Sequence, residues 1–250
     1  MRVIILAAGY GTRLYPLTLE LPKPLIPIND KPIVNFLLDK LTGINKYLPI
    51  TEVKIVSNNH FYKNFLEWKQ KYGFKVKILN DGSNNPQDRL GAVRDMRFAM
   101  GQANGDWLVM GGDNLFEDDL IGFARFARSH RPYPSLGVYD IKDKTAAKRF
   151  GVVTINRQHR VTELQEKPEN PRATLVASCI YYFPETMADM LGEFIAQSDS
   201  CDASGKYIAW LVSKTKVFGY QMQGNWLDIG NYDMLKLAEK IFRNGVPILK

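Results

Sequence analysis

The sequence predicts an α/β protein, with a mainly parallel central sheet flanked by helices and a second half in which the sheet becomes mixed. Three observations carry this. Short apolar runs alternate with helically spaced segments through roughly the first 135 residues. Beyond that point strand-like segments follow one another with few helices between them. The first strand also runs straight into a glycine-rich loop far longer than an ordinary strand–helix connection.

In order, Arg2–Ala7, Glu52–Ser57, Lys75–Asn80 and Trp107–Met110 read as strands, and Pro32–Leu41, Tyr62–Tyr72 and Leu90–Met100 as helices with mixed polar faces. Ligands on parallel sheets sit beyond the carboxyl ends of the strands, so the loops after Ala7, Asn80 and Met110 should share one rim. In the second half Leu136–Ile141, Val152–Ile155, Val161–Gln165, Leu175–Phe183 and Lys216–Tyr220 read as strands. Thr186–Phe194, Lys206–Leu211 and a closing Tyr232–Phe242 read as helices.

The chain has 250 residues, 45% hydrophobic and 24% charged, enough for one sizeable core and a single domain with an insertion. No apolar run approaches the length that crosses a bilayer, and the N-terminal stretch reads as a strand rather than a leader. The two cysteines, Cys179 and Cys201, make no disulfide framework and suit a reducing cytoplasm. A net charge of +7 raises nucleic-acid binding, but the cations are scattered and no nucleic-acid motif accompanies them. Neither nucleic acid nor membrane is expected as a partner. His60, His130 and His159 are widely spaced and unaccompanied by Cys or paired acids, which argues against zinc or a catalytic triad.

The loop after the first strand holds Ala8, Gly9, Gly11, Thr12, Arg13 and then Pro22-Lys23-Pro24. Glycines bring backbone N–H groups close to a ligand, and two fixed cations suit a polyphosphate. No Walker loop is present, and Leu14 stands where a dinucleotide fingerprint would place its third glycine. An ordinary glycine turn is the alternative for Gly9 and Gly11 alone. Two acids lie further on at strand ends: Asp113 in Gly111-Gly112-Asp113-Asn114, and Asp228 in Trp226-Leu227-Asp228-Ile229-Gly230. Either can ligate a hard cation; an Asx turn and a helix cap are the competing structural roles. Asp118 and Asp119 read as acids at the start of the next helix.

The run LAAGYGTRLYPLTLELPKPLIPINDKPIV resembles the opening of the sugar-1-phosphate nucleotidyltransferases, and matches continue through most of the chain. The resemblance implies a Rossmann-like fold of the nucleotide-diphospho-sugar transferase type with a sugar-binding insertion. It divides the chain into a nucleotide half (about 1–135), a sugar-phosphate half (about 136–228) and a closing helix (229–250). It implies Mg²⁺ held by Asp113 and Asp228, with Asn231 standing where the family has threonine. Arg13, Lys23 and Lys167 would be the catalytic cations. Glu166 and Gly151 would position the sugar, and Lys167 its phosphate. Leu90-Gly91 resembles the stretch bordering the nucleobase, and Gly112 belongs to the Gly-Asp-Asn motif. Two departures stand out. The usual glutamine and Pro-x-Gly before the base-reading helix are replaced by Asn84–Arg89, leaving Gln87 or Arg89 as the base reader. Ala177-Ser178-Cys179 replaces the frequent Asn-Ala/Thr-Gly of the sugar strand.

The expected substrates are a nucleoside triphosphate, by default dTTP or UTP, and a sugar 1-phosphate, by default glucose 1-phosphate. Rival expectations are a cytidylyltransferase for a phosphorylated alcohol such as phosphocholine, and a catalytically silent protein of the same fold. A chain ending at Lys250 is expected to lack the β-helix tail of longer relatives. A homo-oligomer is allowed for but not specified.

Overall fold

A computed structural model describes residues 1–242; the remainder of the expected closing segment, 243–250, lies outside the described residues. In chain order, the first part contains β1 (Arg2–Leu6), β2 (Pro27–Ile28), β3 (Lys31–Pro32), α1 (Ile33–Tyr47), β4 (Glu52–Ser57), α2 (Tyr62–Tyr72), β5 (Lys77–Asn80) and α3 (Ala92–Met100). The middle contains β6 (Trp107–Gly111), β7 (Asn114–Phe116), α4 (Ile121–Ser129), β8 (Ser135–Asp140), α5 (Lys144–Ala147), β9 (Gly151–Ile155), β10 (Val161–Glu166) and β11 (Leu175–Phe183). The last part contains α6 (Ala188–Gln197), α7 (Ser204–Lys214), β12 (Phe218–Gln221), β13 (Trp226–Asp228) and α8 (Tyr232–Ile241).

One mixed sheet of nine strands organises the molecule, in the order β10-β9-β11-β6-β1-β4-β5, with β8 on β11 and β12 on β8. β6, β1, β4 and β5 run parallel. Their carboxyl ends, and the loops that leave them, therefore share one rim. β11 turns the sheet over: it pairs antiparallel with β6, β8 and β9. The parallel strands are largely apolar at their centres, Val3, Ile4 and Ile5 being fully buried, because helices cover both faces. One core packs α1, α2 and α4 on one face, around Leu37, Phe65 and Phe123; the other packs α3, α6 and α7, around Met96, Leu191 and Tyr207.

Helix ends follow local chemistry. Gly73, at φ 69°, closes α2 in the left-handed conformation. Asp118 and Asp119 accept the N–H groups of Leu120 and Ile121 where α4 begins. α1 runs on past Leu41 to Tyr47, with Ile44 fully buried beyond Leu41. α3 starts at Ala92 rather than Leu90, since Gly91 takes φ 86° and ψ 155°. A methyl group on Gly91 would lie 2.7 Å from the Cys201 carbonyl oxygen and 2.8 Å from the Asp202 Cα. Gly91→Ala should therefore cost about 2–3 kcal/mol of stability, from conformation and backbone collision together. Urea denaturation measures this, and an unchanged midpoint would contradict the packing described.

Candidate active site

The loop after β1 is shaped before any ligand arrives. Gly11 sits at φ 63°, and Thr18 Oγ1 donates to its carbonyl at 2.7 Å. Thr12–Leu14 then form a single 3₁₀ turn, anchored by fully buried Leu14. The Arg13 guanidinium lies over Gly230, where a methyl group would be 3.2 Å from it. Tyr232 Oη donates to the Leu14 carbonyl at 3.0 Å. These contacts tie the start of the chain to the segment after β13. Lys23 opens a second 3₁₀ turn, and Pro24 packs on Gly112, whose N–H donates to the Leu6 carbonyl at 2.8 Å.

The two acids reach the same place through a pairing of two three-residue strands. β7 and β13 are antiparallel, with Asp228 opposite Asn114. Trp226 Nε1 donates to Asn114 Oδ1 at 2.8 Å, and the Ile229 N–H donates to the Asp113 carbonyl at 3.0 Å. Lys23 Nζ is 2.7 Å from Asp113 Oδ2. The cap of α8 is Asn231, whose side chain accepts the Met234 N–H at 2.9 Å, so Asp228 is free of that duty.

The electrostatics separate the pair. Burial opposes ionisation of Asp113, but the Lys23 charge and hydrogen bond, helped by Arg13, hold its pKa below the usual carboxylate value. Burial, and then the Asp113 charge, push Asp228 up to about 7 against Lys23 and Arg13. Burial works against the Lys23 charge, yet Asp113 and Asp228 outweigh it and its pKa is raised. Two converging carboxylates are hard oxygen donors with a need for positive charge, which fits Mg²⁺ completed by water and phosphate oxygens. No group of three or more His, Cys, Asp or Glu side chains placed to hold a metal occurs among the described residues.

On the far side, β10 ends at Glu166, whose carboxylate packs against Gly205 and Gly151. A side chain on either glycine would meet it. Burial raises the Glu166 pKa against the pull of Lys167 and Lys206. Lys167 takes φ 47°, its N–H donates to the Phe150 carbonyl at 3.0 Å, and its Nζ is 3.8 Å from Glu166. Cys179, at φ 56°, sits where the register of β11 shifts between Ala177 and Tyr181. The glycine expected there from the resemblance is the residue that this left-handed conformation favours; here a thiol points into the site, its pKa pushed by burial to about 12.

Ala8, Gly9, Gly11, Thr12, Arg13, Lys23, Gly91, Asp113 and Lys167 line one cleft of about 470 Å³. Gly151, Glu166 and Asp228 line an adjoining cavity of about 670 Å³, which shares Arg13, Asp113 and Lys167 with the first. Gln87 is exposed and Leu90 half-buried, and neither lines a cavity; Gly112 lies beneath the β1 loop. Arg89 lines the first cleft, but Asp202 holds it through bonds of 2.8 and 3.1 Å. Tyr10, Asp95 and Asp202 line it too, and Lys148 and Arg149 line the second; nothing in their local sequence marks them.

Asp95 is 5% exposed, and burial, with the neighbouring Asp81 charge, raises its pKa to about 8. The folded chain therefore holds this proton more tightly than the unfolded one. Stability from this group is fully present below about pH 4 and is lost as pH rises through about 8. Asp95→Asn should be about 5 kcal/mol more stable than the parent at pH 9 and nearly equal to it near pH 4. Denaturation across that range checks the slope; a pH-independent difference would contradict it.

A parallel rim that gathers a cationic glycine loop and two acids sets them where α/β sheets bind their ligands. The nucleotidyl transferase family model matches residues 2–244, and the chain belongs to that family. It is 30% identical over 248 residues to the bifunctional protein GlmU of Methanococcus aeolicus, covering 98% of this chain and 55% of that one. A glucose-1-phosphate thymidylyltransferase of Mycolicibacterium smegmatis is 28% identical over 253 residues, covering 97% of this chain and 82% of that protein. The crystal structure of a Bacillus anthracis protein assigned as a glucose-1-phosphate thymidylyltransferase, in complex with a sucrose, superposes with a TM-score of 0.81 at 22% identity. That alignment covers 98% of this chain and 96% of the other, and it establishes the shared fold. The chain spans about half the length of the GlmU relative.

Proposed function

We propose that this protein transfers a nucleotidyl group from a nucleoside triphosphate to a sugar 1-phosphate, giving a nucleoside diphosphate-sugar and pyrophosphate. The observation that carries this reading is the meeting of Arg13, Lys23, Asp113 and Asp228 where two cavities join. The nucleotide would occupy the cleft built mainly by residues before about 135. The sugar phosphate would occupy the cavity built mainly by 136–228, and the closing helix from 229 would brace the first loop.

An oxygen of the sugar phosphate attacks the α-phosphorus, the bond to the β-phosphate oxygen breaks, and pyrophosphate leaves with the electron pair. The nucleophile is already an anion, so no general base is needed, and catalysis rests on alignment and charge. Arg13 would hold the β and γ phosphates, Lys23 the α-phosphate region, and Lys167 the attacking phosphate. Glu166 and the Gly151 backbone would position the sugar. Asp113 and Asp228 would hold Mg²⁺, which would supply charge neutralisation at the phosphates.

The relatives' names support this assignment, and dTTP or UTP with glucose 1-phosphate is the default pair. Phe150 and Trp226 also line the acceptor cavity, with ring centroids 5.4 Å apart. Such aromatic faces favour a second reading, cytidylyl transfer to a phosphorylated alcohol such as phosphocholine. No helix among the described residues is long and apolar enough to cross a membrane. The test is pyrophosphate release with Mg²⁺ over a panel of triphosphates, sugar 1-phosphates and phosphocholine. Magnesium-dependent release with a sugar 1-phosphate is expected; release with no acceptor in the panel would overturn the reading.

A further inference from the structure

Asp95 is a carboxylate that the proposed chemistry does not use. It lies on α3, it is 5% exposed, and its Oδ1 is fully buried with no hydrogen-bond partner. It lines the first cleft together with Tyr10, Pro86 and Gly91. It does not line the adjoining cavity that begins at Arg13, Asp113 and Lys167. Asp95 therefore belongs to the half of the nucleotide cleft away from the acceptor and from the reacting phosphates.

No cation offsets it. Arg89, the basic side chain on that side of the cleft, is committed to Asp202. The charge that bears on Asp95 is that of another acid, Asp81. Asp81 Oδ1 accepts the Ser83 N–H and hydroxyl, both at 2.8 Å, while its Oδ2 is buried and also without a partner. Tyr10 Oη in turn donates to Ser83 Oγ at 3.3 Å. Native interiors leave few such acceptors unmet, and a proton on Asp95 would still leave unpaired acceptor oxygens on the two neighbouring acids. Their missing complement is an N–H donor that enters with the ligand.

We propose that Asp95 selects the nucleobase, and that the base it takes carries an exocyclic amino group. The inference rests on the nucleotidyl-transfer reading and deepens it. Cytosine, adenine and guanine each present an amino group whose free hydrogen a carboxylate accepts. Uracil and thymine present one ring N–H flanked by two carbonyls, so their lone pairs face the carboxylate. A site built to hydrogen-bond a particular group rejects the analogue that lacks it, because its own buried polar atoms are then left unpaired. This moves the expected base away from the dTTP or UTP default.

Calorimetric binding of matched triphosphates with Mg²⁺ at about pH 8.5, where Asp95 is mostly ionised, tests it: CTP against UTP, and ATP and GTP each against ITP, which lacks the amino group. The wild-type protein should bind the amino member of at least one pair about tenfold or more tightly. Asp95→Asn, whose amide N–H can meet a carbonyl, should bring that ratio below about threefold while the preference for ribose over deoxyribose stays put. Asp95→Ala, with its fold checked by circular dichroism, should weaken the amino member more than its partner. Equal ratios in wild-type and variant protein, a uniform loss across all bases, or a change confined to the ribose–deoxyribose preference would overturn the inference and leave nucleotidyl transfer standing. Failure to bind any triphosphate would overturn nucleotidyl transfer itself, and this inference with it.

Discussion

Asp113→Asn should lower kcat by about 10²–10³-fold or more while the protein stays folded. The size reflects the carboxylate's part in the proposed reaction: it is the acid held ionised in the site by the nearby Lys23. Removing its charge would remove one of the two proposed metal ligands and the partner of Lys23. The fold should survive because Asp228 can take over. Its proton is held partly by the Asp113 charge, so losing that charge lets Asp228 ionise and face Lys23 instead. Steady-state kinetics with Mg²⁺ and a denaturation curve check both halves. Normal turnover in the variant would remove Asp113 from the mechanism.

Lys23→Ala should act on stability and rate together. The lysine is 2.7 Å from Asp113, with 13% of its side chain exposed against 30% for the acid. Without it two acids face each other with Arg13 as their remaining compensation. Breaking a sealed ion pair costs more, but Asp113 opens to the cleft, so a loss of about 2 kcal/mol is expected in metal-free protein. Added Mg²⁺ should restore part of it, since a cation that binds the folded state alone stabilises it by mass action. In turnover, kcat should fall about 10²-fold with a smaller change in KM, because the charge Lys23 meets grows in the transition state. Urea curves with and without Mg²⁺, beside kinetics, separate the two effects. An unchanged kcat would confine the lysine to a structural role.

Much of this could be read from the chain because the informative residues sit at strand ends. Apolar runs such as Val3-Ile4-Ile5 fix a parallel strand, and the loop leaving a parallel strand reaches the rim. Asp113 was legible for a second reason, as it follows an apolar strand and a glycine pair, whereas Asp228 was marked by the resemblance of Trp226-Leu227-Asp228-Ile229-Gly230 to a family motif. The pairing that brings them together was not. β7 and β13 have three residues each, too few to show a period, and they lie more than a hundred positions apart. The bend at Cys179 was hidden likewise, because a β-bulge leaves no mark on a continuous run of strand-forming residues.

Asp95 shows the limit most clearly. In Ala92–Met100 it is one acid among two arginines on an amphipathic helix, and by itself reads as a solvated position. Packing of α3 against β1, α6 and α7, together with the approach of Asp81 from the end of β5, turns it into a buried group. Burial of that kind is a property of the tertiary arrangement. Gln87 shows the opposite case: its position beside a family-like motif suggests a base reader, and the Asn85–Asp88 turn leaves it exposed.

At the centre of the proposed reaction, Asp113 and Asp228 hold one divalent cation between them. Anomalous diffraction from crystals grown with Mn²⁺ and a nucleoside triphosphate measures this directly. A single peak within about 2.5 Å of an oxygen from each acid is the expected result. A peak on one acid alone with the other turned away, or a metal bound elsewhere in the cleft, would contradict it.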